Sequence, residues 1–371
     1  MKVLFVARSL DNMAGGVERM ITTVMNALYN RGFDVELLTW DQAGVQSFYT
    51  IDPGIKWHCL DMGDHMQKAG IGLIVRRAFA VRKILKSGGH QVVICFQDGP
   101  YLSLRVFSLG MGIPIIAAER NAPTRFDHTR KGRTRRFITF NAFRFARKIL
   151  LQCEEYRSLY PNFLRKRIEI IPNPVFPANE HAYPGVAGEN GRYKLLSVGR
   201  LGYQKNYGCL IKAFAILAPK FPDWDLEIIG EGEERGSLEC MVKGLGLGQR
   251  VRLPGAKQNV EKYYKQANLF CLPSRWEGFP NALGEAFAHG LPGVGFADCA
   301  GINSLIKPGE NGLLAQGNGD SVALARTLEK LMKDHGALNA MGASASSSAR
   351  AYAPDTIFAR WEQVVRDAVN I

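Results

Sequence analysis

The stretch from Ser274 to Pro292, S-R-W-E-G-F-P-N-A-L-G-E-A-F-A-H-G-L-P, carries two carboxylates, Glu277 and Glu285, eight residues apart. Carboxylate oxygens accept hydrogen bonds from sugar hydroxyls, although they are badly placed to bind phosphate. Two cations, Arg200 and Lys205, share another loop. Their side chains bind diphosphates through charge-assisted hydrogen bonds. Together the four residues indicate a ligand with both a sugar and a phosphate part.

The predicted elements place these side chains at the ends of strands. Apolar runs at 268–272 and 293–297 predict strands on either side of the stretch, with a helix from about 281 to 289 between them. The run 194–198 predicts another strand, and the loop with Arg200 and Lys205 follows it. Ligands of parallel α/β sheets gather at the carboxyl ends of strands, where helix N-termini offer backbone N–H groups to anions. We therefore expect the four side chains in one crevice.

Strands and helices alternate along the whole chain of 371 residues, which predicts an α/β fold. The length favours two doubly wound, Rossmann-like domains that face each other across a ligand-binding cleft. We predict an N-terminal domain at residues 1–176 and a linker rich in Pro and Gly at 177–192. A second domain at 193–353 follows, and a final helix at 354–371 is expected to pack back toward the first domain.

The N-terminal half offers two candidate groups. Gly15 and Gly16 follow the first predicted strand and would let the backbone approach a ligand, but the dinucleotide pattern G-x-G-x-x-G is absent. Glu119, Arg120 and Asn121 follow the predicted strand 114–118. Glu119 could act as an acid, a base or an acceptor-orienting group, and Arg120 could meet a phosphate. A local ion pair or a helix cap explains the same residues equally simply.

Other interpretations of the carboxylates and cations stay open at this level. Arg200 and Lys205 could be surface cations, and Glu285 could merely favour the first turn of its helix. A glycoside hydrolase also uses paired carboxylates, but it would not need the two cations. The D-x-D pattern of Asp223 and Asp225 lies at the amino end of a predicted strand, away from the expected cleft, so we expect no metal there.

The net charge of +13 is concentrated in the first half of the chain. The segment 134–151 mixes Phe with Arg and could lie on an anionic membrane, or it could be a domain helix with a basic outer face. Nucleic acid is not expected, because no known binding module is recognisable. The seven scattered Cys contain no C-x-x-C pair, and no signal peptide or membrane span is apparent, which predicts a cytoplasmic protein with reduced thiols.

Four motifs resemble the retaining glycosyltransferases of family 4, which have the GT-B fold, and the likeness covers nearly the whole chain. They are A-G-G-V-E-R at 14–19, S-V-G-R-L with K-N at 197–206, G-E-G at 230–232 and S-R-W-E-G-F-P-N-A-L-G-E-A at 274–286. More narrowly, the chain looks like bacterial enzymes that extend undecaprenyl-diphosphate-linked sugars for O-antigen, exopolysaccharide or protein glycosylation.

The resemblance implies that Glu285 binds the donor ribose, that Arg200 and Lys205 bind the diphosphate, and that Glu277 lies beside the donor sugar. It also implies that the domain at 1–176 binds the acceptor and that the domain at 193–353 binds the nucleotide sugar. It implies no metal and no other cofactor. The implied catalytic residues are Glu277, Glu119 and Arg120, and the implied acceptor-binding residues are Glu18, Arg120 and Asn121. The remaining implied donor-binding residues are Gly15, Gly16, Gly230, Glu231, Ala256, Phe279, Asn281, Ala282 and Leu283. Many relatives place a His where this chain has Glu119-Arg120-Asn121, so the role of these three residues is less defined.

The expected activity is transfer of a hexose or N-acetylhexosamine from a UDP-sugar to a polyprenyl-diphosphate-linked saccharide, forming an α-linkage. The expected location is the inner face of the plasma membrane, with the basic N-terminal domain against the anionic lipid. The alternatives are a GT-B epimerase or phosphorylase, and a non-catalytic protein that binds nucleotide sugars or nucleic acid.

Overall fold

The computed structural model describes residues 1–63 and 69–370 and divides the chain into two compact units. Unit 1 contains residues 1–173 and the C-terminal segment from Asp355 onward, and unit 2 runs from Pro174 to Pro354. Each unit is built around one parallel sheet.

Unit 1 has a seven-stranded sheet in the order β3-β2-β1-β4-β5-β6-β7. Apart from Lys2, its central strands β1, β4 and β5 are buried runs of apolar residues, as expected of a parallel sheet covered by helices on both faces. The strands are β1 (Lys2–Val6), β2 (Asp34–Thr39), β3 (Lys56–Cys59), β4 (Val92–Phe96), β5 (Ile115–Ala118), β6 (Lys148–Leu151) and β7 (Ile168–Ile170). The helices are α1 (Gly16–Asn30), α2 (Ile71–Gly88), α3 (Asp98–Phe107), α4 (Gly132–Phe143) and α5 (Asn162–Arg165), with 3-10 turns at Pro123–His128 and Glu154–Leu159.

Unit 2 has a six-stranded sheet in the order β10-β9-β8-β11-β12-β13. Its strands are β8 (Tyr193–Val198), β9 (Trp224–Ile229), β10 (Val251–Gly255), β11 (Leu269–Leu272), β12 (Gly293–Phe296) and β13 (Gly312–Ala315). Its helices are α6 (Tyr207–Leu217), α7 (Arg235–Gly244), α8 (Glu261–Lys265), α9 (Asn281–Ala288), α10 (Ala300–Asn303), α11 (Ser321–Met332) and α12 (His335–Ala349), with a 3-10 turn at Arg350–Tyr352. In both sheets the strand order reverses beside the first strand, which is the doubly wound topology.

The last helix, α13 (Pro354–Asn370), belongs to unit 1 through its apolar face. Trp361 is fully buried, and its ring stacks on that of Phe96 at the end of β4, with 5.8 Å between the ring centroids. The helix therefore completes the core of the unit that begins the chain.

One local feature differs from the sequence expectations. Residues 177–192, predicted to be a linker, pack on unit 2. The Ala182 N–H donates to His289 O, and the Gly185 N–H donates to Asn339 Oδ1.

Candidate active site

The loops that carry the predicted donor-binding residues of unit 2 meet at the carboxyl edge of its sheet. Strand β8 pairs with β11 through Leu195 and Leu196, so the loop after Val198 and the loop after Leu272 lie side by side. Their backbones are joined, since the Arg275 N–H donates to Gln204 O at 2.8 Å. The strand order reverses between β8 and β11. This is the point of an open α/β sheet where a ligand crevice forms.

Glu277 is the centre of a buried polar cluster in that crevice. Only 5% of the residue is exposed, and its Oε1 lies 2.6 Å from Lys205 Nζ. Ser274 Oγ donates to the same oxygen at 2.6 Å, and Gln204 Nε2 lies 3.4 Å from Oε2. An ion pair with these additional hydrogen bonds holds both charged groups in fixed positions. Lys205 keeps 19% of its side chain exposed, so its ammonium group stays within reach of a ligand.

Arg200 presents a different environment from that of Lys205. Its side chain is 74% exposed, and its Nη2 lies 3.0 Å from Glu233 Oε1, which is also exposed. Exposed ion pairs of this kind contribute at most about 1 kcal/mol. The Arg200 guanidinium can therefore leave Glu233 and turn to a phosphate at little cost, whereas Lys205 is positioned in advance.

The loops after β8 and β9 approach each other so closely that glycine is required. A Cβ on Gly230 would lie 2.0 Å from Gly199 O, and one on Gly232 would lie 2.3 Å from Leu201 O. Glu231, between the two glycines, is exposed and binds Arg235 at 2.7 and 2.8 Å, which lowers the pKa of its carboxyl group. Ala256 is exposed directly after β10. The G-E-G motif thus fixes the backbone beside Arg200.

Helix α9 places Glu285 one turn from its start, half-buried, where Oε2 accepts a hydrogen bond from the Tyr264 hydroxyl at 2.9 Å. The preceding amides are partly engaged. The Asn281 N–H donates to Phe279 O at 3.0 Å, and the Leu283 N–H donates to Pro280 O at 2.9 Å. These two amides, which belong to residues implied to bind the donor, thus already have acceptors within the helix start. Phe279 and Leu283 are buried, and Ala282 is half-buried.

In unit 1, Gly15 precedes α1 and Gly16 is its first residue. The Glu18 carboxylate folds back over Gly15, because a Cβ added there would lie 2.0 Å from Glu18 Oε2. Burial raises the pKa of Glu18. Gly15 is thus packed against a half-buried carboxyl group at the carboxyl edge of this sheet.

Glu119 belongs to a buried network at the carboxyl ends of β4 and β5. Its two oxygens accept hydrogen bonds from Arg125 at 2.7 and 3.1 Å, and Oε1 also accepts the Asn121 N–H at 3.2 Å. Asp98 lies 3.0 Å from Arg125 and 3.0 Å from Arg135. Burial raises the pKa of Glu119, with Asp98 adding to the effect and Arg125 opposing it. The network holds the loop after β5 rigidly; a catalytic role for Glu119 and an acceptor contact for Asn121 stay predictions.

Arg120 lies in the core of unit 1 and is 4% exposed. Its Nη1 donates to Ile171 O at 2.9 Å, and its guanidinium carbon stands 5.0 Å from the centroid of the Trp361 ring. Burial lowers the pKa of Arg120 to about 9. These contacts connect the end of β5 with the end of β7 and with α13. They indicate a structural role for Arg120. The geometry favours this interpretation over the predicted phosphate contact.

The D-x-D pattern lies at the amino edge of unit 2, where Asp225 binds two guanidinium groups. Its oxygens accept hydrogen bonds from Arg192 at 2.6 and 2.7 Å and from Arg250 at 3.0 Å. Burial alone would raise the pKa of Asp225, but the two arginines outweigh burial and hold it below its ordinary value. Within the described ranges 1–63 and 69–370, no group of three or more His, Cys, Asp or Glu side chains is arranged to hold a metal ion.

We therefore expect Asp225→Asn to destabilise the protein by about 1–3 kcal/mol without changing its turnover. The carboxylate's contribution is present above the pKa of the unfolded chain and disappears as the pH falls through the lower folded pKa, so variant and wild type should converge in acid. Thermal unfolding at pH 7 and pH 3, with activity assays in EDTA, tests this. A loss of turnover that added divalent cations restore would contradict it.

Several residues that surround the predicted site residues were not anticipated from the sequence. The S-x-x-E spacing of Ser274 and Glu277 is a recognisable signal for a hydrogen bond between the two side chains. Asp98 directly follows Gln97 at the end of a buried strand, and a carboxylate at such a position is a recognisable signal for a site residue. Nothing in the sequence marks Tyr264 as the partner of Glu285, because 21 residues separate them.

Comparison with known proteins defines the class to which this fold and site belong. Residues 14–178 match the family described as Glycosyltransferase Family 4, and residues 183–348 match the family described as Glycosyl transferases group 1. The chain belongs to the family 4 glycosyltransferases and has the GT-B fold. The predicted family and fold class are thereby confirmed.

Two relatives illustrate the likeness in sequence. An uncharacterized glycosyltransferase of Haemophilus influenzae is 29% identical, covering 82% of this chain and 83% of its own length. The GalNAc-alpha-(1->4)-GalNAc-alpha-(1->3)-diNAcBac-PP-undecaprenol alpha-1,4-N-acetyl-D-galactosaminyltransferase of Campylobacter jejuni is 27% identical, covering 100% of this chain and 99% of its own.

Two solved structures illustrate the likeness in fold. Sucrose-phosphate synthase of Thermosynechococcus elongatus superposes with a TM-score of 0.83 at 17% identity, covering 99% of this chain and 98% of the other. HepE of Anabaena, in complex with UDP and glucose, superposes with a TM-score of 0.77 at 16% identity and covers 99% of both chains. Both share the architecture of the two units.

Proposed function

We propose that this glycosyltransferase moves a hexose or N-acetylhexosamine from a UDP-sugar to a polyprenyl-diphosphate-linked saccharide, with retention of the α configuration. The observation that carries the proposal is the fixed Lys205–Glu277 pair, 2.6 Å apart at the switch point of unit 2, with the exposed Arg200 on the same loop as Lys205. Cations and a carboxylate side by side match a ligand that joins a diphosphate to a sugar.

The relatives support the substrate class. The Campylobacter jejuni relative bears the name of an enzyme that acts on an undecaprenyl-diphosphate glycan, and an Erwinia amylovora relative, 22% identical over 98% of this chain, is a glycosyltransferase of amylovoran biosynthesis. Anabaena HepE has been solved with UDP-glucose. We infer a uridine nucleotide and a lipid-linked acceptor from these similarities.

In the proposed reaction, Lys205 and Arg200 stabilise the charge that develops on the departing diphosphate, because they are cations already placed where that charge appears. Glu277 holds Lys205 and accepts a hydrogen bond from a donor-sugar hydroxyl, while Glu285 binds the ribose. The acceptor hydroxyl attacks from the face of the leaving group, and the departing phosphate takes its proton. No protein nucleophile and no metal ion is needed.

Incubation with UDP-glucose, UDP-galactose and their N-acetylamino counterparts, each with undecaprenyl-diphosphate-linked mono- and disaccharides, tests the proposal. We expect one donor to give a product one sugar longer, with an α anomeric signal by NMR and an unchanged rate in EDTA. A β-linked product would refute retention. Epimerised donor, or sugar phosphate formed only with added phosphate, would identify an epimerase or a phosphorylase instead.

We further propose that unit 1 lies against an anionic membrane through an exposed surface on α2, α3 and α4. Helix α3 packs against both α2 and α4. The exposed apolar side chains of these helices include Ile71, Phe79, Val106 and Phe137, which are 83%, 71%, 62% and 70% exposed. The exposed cations beside them are Arg76, Lys83, Lys86, Arg133 and Arg144. Apolar side chains among cations are the pattern of a peripheral membrane contact. Within the part of the chain that the structure describes, no helix has the length and apolar character needed to span a bilayer.

Charge reversal at Arg133 and Arg144 should reduce flotation with phosphatidylglycerol-containing liposomes by about tenfold or more, because each basic side chain near such a surface contributes about 1 kcal/mol. Arg135 is left unchanged, since it holds the buried Asp98. The matched control reverses Arg326 and Lys330, two exposed cations of unit 2. Equal flotation of the two double variants would remove α4 from the membrane contact.

A further inference from the structure

Gln97 has a backbone conformation that side chains rarely tolerate. Its φ of 69° and ψ of 163° fall in a region that is essentially restricted to glycine. Four non-glycine residues have positive φ, namely Asn12, Asp61, Gln97 and Asn206, among the residues that the structure describes. Asn and Asp adopt such values comparatively readily, whereas Gln does so at a greater cost. The protein therefore keeps a strained Gln where Gly would be relaxed.

The place of this strain is the switch point of unit 1. Gln97 lies between the end of β4 and the start of α3, and β4 is the strand at which the order of the sheet reverses beside β1. The Gln97 N–H donates to Ala118 O at 2.9 Å, which fixes the residue next to the loop of Glu119. Carboxyl ends of strands at a switch point are where α/β sheets bind their ligands.

The side chain of Gln97 is half-buried, and its amide makes no hydrogen bond within residues 1–63 and 69–370. Neither atom of this amide is among the buried unpaired side-chain atoms, so both reach solvent and are open to a ligand. Its carbonyl oxygen and NH₂ group can accept and donate at once, which suits the hydroxyl or N-acetyl groups of a sugar. Local strain and an unused amide at the same residue point to a ligand contact rather than to packing.

We propose that Gln97 is a specificity-determining residue that binds the saccharide of the acceptor through its side-chain amide. The inference rests on the proposed glycosyl transfer and adds a residue of unit 1 to it. The neighbouring Asp98, held by Arg125 and Arg135, anchors the start of α3, so that the strained turn presents the Gln97 amide in a fixed position. A glycine in this turn would relieve the strain and remove the ligand contact.

Gln97→Gly and Gln97→Ala separate these two effects. The glycine variant should raise the Tm of the full chain by about 3–6 °C, because a strained residue becomes relaxed, whereas the alanine variant should not. Both should raise the acceptor KM about tenfold or more and leave the donor KM unchanged. The matched control is Asp61→Gly at an exposed position that also has positive φ, and it should not change the acceptor KM.

Saturation-transfer NMR with methyl α-N-acetylgalactosaminide and methyl α-glucoside tests binding without turnover. We expect a signal from at least one glycoside with the wild type and loss of that signal in both Gln97 variants. If no donor is turned over but this loss is seen, glycosyl transfer fails while the sugar contact stands. A Gln97→Gly variant with a raised Tm and wild-type acceptor KM, or no glycoside binding by the wild type, would overturn the inference.

Discussion

Lys205→Ala should lower the rate of sugar transfer by about 100-fold or more, the size of effect seen when one preorganised charge-stabilising group is removed from an active site. The Lys205 ammonium group is held 2.6 Å from Glu277 and remains 19% exposed, so it is fixed before the donor arrives. Because the group need not be reorganised during the reaction, its full electrostatic effect acts on the departing diphosphate. The decrease should appear in kcat more than in the donor KM.

The same substitution should destabilise unit 2 by about 2–5 kcal/mol, because it leaves the buried Glu277 carboxylate without its cation. Combining it with Glu277→Ala should recover part of this stability, since the uncompensated charge disappears, but it should not recover transfer. Lys220→Ala is the matched control, because that lysine makes an exposed pair with Glu329 at 3.5 Å. Denaturant unfolding and initial rates measure the two effects separately. Wild-type kcat in Lys205→Ala would remove this lysine from the diphosphate site.

The core of the fold could be predicted from the sequence, because buried parallel strands are continuous apolar runs. The apolar runs of β4 and β11 are examples that clearly indicate buried strands. The edge strand β3 was not anticipated, because Lys56–Cys59 is only four residues long, and its alternation of polar and apolar residues is too short to stand out. The segment 343–349 is rich in small residues and gives no clear helical periodicity, yet it continues α12, whose Ala345 packs in the core of unit 2. In both places tertiary packing decides the structure.

In the candidate site, too, some features could be predicted from the sequence and others could not. We predicted from the sequence that Arg200, Lys205 and Glu277 share one crevice, because each follows a strand and the strand ends of a parallel sheet share an edge. The sequence did not show that Lys205 is held in place while Arg200 is exposed, because exposure depends on the neighbours of each side chain in the folded protein. It also assigned Arg120 to a ligand, although the Trp361 ring that covers its guanidinium comes from the far end of the chain. A contact across 241 positions, from 120 to 361, leaves no local signal.

Glu285→Ala should raise the Kd for UDP by about 100-fold, because a carboxylate that accepts hydrogen bonds from ribose hydroxyls contributes about 1.5–3 kcal/mol for each such bond. Glu285 is half-buried and is oriented by the Tyr264 hydroxyl at 2.9 Å. Tyr264→Phe is therefore the matched control: it keeps the carboxylate and removes only the group that orients it. We expect a weaker effect there, of about three- to tenfold.

The ribose contact itself is tested by comparing UDP with its 2′-deoxy analogue in calorimetric titrations of wild type and both variants. If Glu285 binds the 2′-hydroxyl, the wild type should prefer UDP by about tenfold or more, Tyr264→Phe should keep most of that preference, and Glu285→Ala should lose it. This coupling distinguishes a ribose ligand from a carboxylate that only supports α9, because a supporting residue would weaken both nucleotides equally. An equal loss for the two ligands would therefore place Glu285 outside the ribose site while leaving the Lys205 result unaffected.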